Sequence, residues 1–98
     1  MKATTENRTI IVPLVHMNGD RKESLQGPIA DAAYAIREAL KALHATCPNA
    51  RNYYVISDQA FSKAMDQYIT QLERLQVTYD ELAAMFNAIG DNKTEVSL

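Results

Sequence analysis

The strongest regularity in this chain is a run of apolar residues at alternating steps of four and three. Starting from Phe61 it passes through Met65, Tyr68, Leu72, Leu75, Tyr79, Leu82, Phe86 and Ile89 without a miss. This is the 3.5-residue period of a coiled-coil seam, sustained for about four heptads. It predicts a helix that begins after Ser57 or Asp58, with Ile56 and Phe61 spaced as a hydrophobic staple if Ser57 is the cap. Gly90 follows as a candidate left-handed C-cap, and residues 91–98 read as a flexible polar tail.

A second helical pattern lies upstream. Leu25, Ile29, Ala32, Ile36, Leu40 and Leu43 recur at three- and four-residue steps within an alanine-rich stretch of high helix propensity. Asp20 and Glu23 have the spacing of a capping box, just after the Asn18-Gly19 turn pair. Gly27-Pro28 interrupts the pattern, and a proline inside a helix costs about 3 kcal/mol unless it sits in the first turn. The long helix therefore starts near Gly27, or it is kinked there after a short first segment. Between the two helices lies CPNARNYYVI, with Pro48-Asn49 as a turn signal.

Before both helices, Thr9 to Val15 reads TIIVPLV, a short β-branched run suited to one buried strand that Pro13 confines to an edge or an end. No other segment has a strand pattern. The partner expected for it is the same segment of another subunit, or else the run packs as an extended arm on the helices. The fold class that follows is mainly α: an antiparallel two-helix hairpin with a short N-terminal strand or arm. Residues 1–8 form a flexible N-terminus, 9–90 a single domain and 91–98 a flexible tail.

Two facing seams bury only one stripe of each helix. Ile69, Val77, Ala84 and Ala88 on the second helix, with Ala33 and Ala39 on the first, form a further stripe beside the seam that needs a cover. Dimerisation or higher self-association into a helical bundle would supply it. The alternative is that the N-terminal arm folds back over the stripe within one subunit.

Composition narrows the function. With 47% apolar and 22% charged residues, the 98-residue chain is a single folded unit rather than a disordered one. No apolar run reaches the roughly 20 residues of a bilayer span, and the polar start lacks a signal-peptide profile, so a cytosolic location is expected. Cys47 has no second cysteine, and His16 and His44 are the only histidines, so neither a disulfide nor a zinc site is expected. A net charge of −2 without a Lys/Arg-dense segment disfavours nucleic-acid binding. No nucleophile elbow, P-loop, dinucleotide fingerprint or metalloprotease motif is present, which points away from catalysis and from a cofactor.

The side chains with binding chemistry form two groups. Asn49, Arg51, Asn52, Tyr53 and Tyr54 combine a guanidinium, two amides and two phenols, which can stack on a base or hold a phosphate. The plain structural reading is that the tyrosines plug the end of the bundle and Asn49 shapes the turn. His16, Asn18 and Arg21 form the second group at the strand-to-helix turn, with an equally plain reading as turn and interface residues. In a straight hairpin the two groups sit at opposite ends, so they meet only through a partner subunit.

The segments VPLVHMNGDRKESL and PNARNYY together resemble a recurrent pattern in small proteins of tailed bacteriophages. That pattern is a strand ending in H-[LM]-N-G, a capped helix, a P-N-x-R-[DN]-Y-Y loop and a second helix. The match runs from about Ile10 to Ile89, with His16, Asn18, Gly19, Pro48, Asn49, Arg51, Tyr53 and Tyr54 on its motif positions. Asn52 stands where the pattern often has an acid, and Val55 where a proline is frequent. The resemblance implies a phage accessory protein that acts by binding. Expected roles are sequestration of a nucleotide-derived immune signal of the host, inhibition of a host defence protein or enzyme through a helical face or the strand arm, or a part in virion assembly.

Overall fold

The computed structural model describes residues 8–16 and 19–98. The expected N-terminal segment therefore lies outside the described residues up to Asn7, as does Asn18. The elements run β1 (Thr9–Ile11), α1 (Lys22–His44), a short 3-10 turn (Ala50–Asn52), α2 (Ala60–Gly90) and β2 (Glu95–Ser97). The protein is mainly helical, and its two long helices form the hairpin that the apolar spacing predicts. At 1.5 Å per residue they are about 34 and 46 Å long. The molecule measures 63 × 26 × 15 Å, so the hairpin is one helix thick.

The strand expectation needs correction. β1 pairs antiparallel with β2 of the same chain, in the register Thr9↔Ser97, Ile10↔Val96 and Ile11↔Glu95. Further bonds from Arg8 to Leu98 and from Val12 N–H to Thr94 carbonyl, 2.8 Å, continue the ladder. Pro13 then ends it because it has no N–H. The strand is thus shorter than TIIVPLV, and the segment expected as a tail holds its partner. Alternation explains how so polar a segment can pair: Ile10 and Val96 face inward while Thr9, Ile11, Glu95 and Ser97 are exposed.

A two-stranded ribbon is marginal alone. This one gains its support from α2, where Val12, Ala88 and Ile89 are 3%, 2% and 1% exposed. Val15, Leu25, Ile29, Met85 and Val96 pack around them. The arm therefore does fold back within the subunit, but it covers one end of the further stripe only. At the other end Ile69 remains 45% exposed. Arg8 fastens the arm through a 2.6 Å ion pair with Glu81.

The helix ends differ from expectation in instructive ways. α1 starts at Lys22 with Arg21 as N-cap and no side-chain cap bond, so the Asp20/Glu23 box does not close. It runs through Pro28 without starting afresh at Gly27. α2 begins at Ala60 behind Gln59, again without a side-chain cap, so the cap falls one or two residues after the expected Asp58 or Ser57. Gly90 is the last helical residue, and the left-handed position falls on Asn92, φ 57°. Asn92 N–H reaches the Ile89 carbonyl and Lys93 N–H the Ala88 carbonyl, 2.9 Å, which is a Schellman closure. That closure turns the chain back into β2. From α1, Lys22 Nζ donates to the Gly90 carbonyl at 3.3 Å and Gln26 Nε2 to the Phe86 carbonyl at 2.9 Å. The Lys22 ammonium thereby meets a carbonyl of the last turn, where the helix dipole favours a cation.

The seam is buried unevenly along its length. Tyr68 and Ile89 are buried, Phe61, Met65, Leu72, Leu75, Tyr79 and Leu82 are half-buried, and Phe86 is exposed at 36%. A seam of which one face stays wet follows directly from a single layer of two helices.

Candidate functional site

The tip of the hairpin is built by Asn49. Its side-chain Oδ1 accepts the Arg51 N–H at 3.1 Å, and its carbonyl accepts the Asn52 N–H at 2.9 Å, which winds residues 50–52 into the 3-10 turn. Asn49 is therefore a turn-shaping residue. Arg51 and Asn52 stand exposed on the turn it makes.

The two tyrosines part company. Tyr53 is half-buried and its ring packs on Phe61, with centroids 6.3 Å apart and planes at 50°. It closes the end of the helix pair, the structural role weighed for both. Tyr54 is 71% exposed, and Val55 and Ile56 beside it are 73% and 69% exposed. The tip thus presents Arg51, Asn52 and Tyr54 to solvent with an apolar flank. A phenol, a guanidinium and an amide so placed can stack on a planar ring and donate to an anion.

At the other end, His16 and Arg21 are exposed. Gly19 N–H bonds to the His16 carbonyl at 3.1 Å and closes a turn. A Cβ on Gly19 would sit 2.5 Å from His16 Nε2, so the imidazole lies over the glycine and uses its missing side chain. About 34 Å of α1 separates this group from the tip. The two groups do not meet within one chain.

Among the described residues no group of three His, Cys, Asp or Glu could hold a metal. No helix among them is long and apolar enough to cross a membrane. Cys47 is exposed and lies near Tyr68, whose hydroxyl is raised above 10.0, first by burial and then by the thiol beside it. That pairing leaves the phenol protonated at neutral pH and supplies no base.

One feature escapes sequence reasoning. On one face of the hairpin α1 and α2 part into an open groove of about 270 Å³, lined by residues that include Ala30, Ala33, Tyr34 and Arg37 from α1 and Leu82, Ala83 and Phe86 from α2. Tyr34 is 65% exposed there. Its position off the α1 seam, inside an alanine run, was the available signal. Arg37 stands at the same rim, one turn further along.

Comparison with models of known protein families, with curated proteins and with solved structures finds no match for this chain.

Proposed function

We propose that this chain is a non-enzymatic bacteriophage accessory protein that works as a homo-oligomer and sequesters a nucleotide-derived immune signal of the host. The observation that carries this reading is the tip, where Arg51, Asn52 and Tyr54 are exposed on a turn fixed by Asn49. The arrangement offers a positive fork, an amide and an aromatic face. These are the groups that recognise a phosphate joined to a base. One subunit supplies half of a site, because Arg51, Asn52 and Tyr54 stand exposed rather than enclosed by the described residues. A second subunit would enclose the bound molecule.

The test is native mass spectrometry of the purified protein, alone and after mixing with the small-molecule nucleotide extract of infected, defence-bearing bacteria. The expected result is an oligomer that gains discrete mass, and Arg51→Ala removes that gain while leaving oligomer and melting temperature unchanged. An oligomer that never gains mass from the extract sinks the reading. The exposed apolar flank Tyr54, Val55 and Ile56 favours a second reading, in which the tip docks on a host defence protein. That reading predicts that Val55→Asp and Ile56→Asp abolish counter-defence while Arg51→Ala does not.

A further inference from the structure

We infer that the groove between α1 and α2 is the seat of a second copy of this chain, stacked antiparallel, so that the tip of each copy lies beside the His16/Arg21 turn of the other. Folded domains bury their helices in two packed layers, and a molecule 15 Å thick has one. The ribbon β1–β2 does not supply the other layer on this face. At 100° per residue, Ala83 in the groove lies about 160° around α2 from Met85 beneath the ribbon. Most of the groove thus opens away from the ribbon, and Ile29 is shared between the two.

One face of the two adjacent helices, about 34 Å long over α1 and roughly 20 Å wide, offers about 700 Å², close to the roughly 800 Å² that each partner of a stable pair covers. A two-fold contact requires a self-complementary surface. Small side chains, Ala30, Ala33 and Ala83, line the groove together with the large exposed rings of Tyr34 and Phe86, 65% and 36% exposed. The same surface therefore carries both the recesses and the projections. Arg37 is the single charged residue lining this groove. With the two-fold axis over Ala33, the two copies of Arg37 are about 12 Å apart along the helices, beyond the screening length at physiological salt.

Orientation is the part that rests on the sequestration reading. Ala33 is the midpoint of α1, eleven residues from Lys22 and eleven from His44. An antiparallel two-fold there lays the start of α1 in one copy over its end in the other. The site is incomplete without that copy: the Arg51 tip gains the Arg21 turn that its own chain holds beyond the full length of α1, about 34 Å. A parallel stack would cover the same groove but keep tip on tip.

Cys47 allows both parts to be tested, because it is exposed and is the only cysteine. The full chain is nitroxide-labelled at Cys47, its mass measured by sedimentation equilibrium, and its label separation by pulsed electron resonance. A dimer, or an even-numbered assembly of dimers, with a separation of about 40 Å is expected, whereas a parallel stack gives roughly 20 Å or less. Tyr34→Ala, at an exposed position that leaves the hairpin folded, is expected to weaken self-association at least tenfold. A monomer at all concentrations, an unweakened Tyr34→Ala oligomer, or only the short separation would each overturn the inference. The same samples mixed with the nucleotide extract separate the two claims. Mass gain with the short separation sinks the antiparallel stack alone, and the long separation with no mass gain sinks sequestration alone.

Discussion

Ile89 is 1% exposed at the point where α2, α1 and the ribbon converge, and its truncation measures how much that junction stabilises the fold. Ile89→Ala removes three carbons from a site with no access to water. At about 0.8 kcal/mol per buried carbon group the transfer loss is near 2.4 kcal/mol. A residual cavity adds about 1 kcal/mol, because Ala88 on the same helix and Val12 on the arm cannot both close in. The expected total is about 3 kcal/mol, a large part of the roughly 5–15 kcal/mol that holds a domain of this size. Urea denaturation followed by circular dichroism at 222 nm gives the number. With a slope of about 1.5 kcal/mol per molar, the midpoint should fall by about 2 M. The experiment is run at several protein concentrations, so that unfolding and dissociation are resolved. A loss below 1 kcal/mol, with slope unchanged, would refute the reasoning that the ribbon end is the centre of stability.

Three further perturbations have definite outcomes. Asn92→Ala should cost about 1 kcal/mol and Asn92→Gly should not, because φ is 57° there and an L side chain without local polar bonding resists it; thermal melts of both variants check this. Pro28→Ala should raise stability by up to about 3 kcal/mol by restoring a bond to the Ser24 carbonyl, and Gly27→Ala should add about 1 kcal/mol only in that background, since a Cβ before a helical proline meets its ring; a double-mutant cycle of urea midpoints would read the coupling. Because the folded-state Tyr68 hydroxyl titrates above 10.0, the folded chain holds its proton longer than the unfolded one, so stability falls as pH rises past about 10; Tyr68→Phe should show a flatter melting temperature between pH 9 and 11.

Much of the hairpin is legible in the sequence because the four-three alternation from Phe61 to Ile89 fits no strand and no loop. The ribbon is harder. In TEVS a single apolar residue, Val96, faces inward, and pairing is driven by the backbone and by the helix below rather than by any pattern in those four residues. Helix ends misled for a similar reason. Asp20 and Glu23 have cap chemistry, yet Arg21 takes the cap position with extended backbone and tertiary contacts of Lys22 and Gln26 fix the start. Gly90 is the obvious left-handed residue, but Asn92 tolerates that region too and lies where the chain must turn toward β1. At the tip, adjacent tyrosines read alike, and only the position of Phe61 on the first turn of α2 separates Tyr53 from Tyr54. The groove needs a side of the hairpin to be known, which a seam alone does not specify.

The β1–β2 pairing joins residues 88 positions apart, Thr9 to Ser97. Closing so long a loop from a disordered chain costs about 4 kcal/mol in entropy before any hydrogen bond forms. Once α1 and α2 have zipped from their short connection, the two strand segments already hang from neighbouring helix ends and the same closure is nearly free. Folding order is therefore built into the topology: local helix pairing comes first and the ribbon last. In reverse, the ribbon is the first element to open. Its amides should exchange with solvent sooner than those of α2, and Arg8 and Leu98, bonded to each other in the native state, part before the helices do.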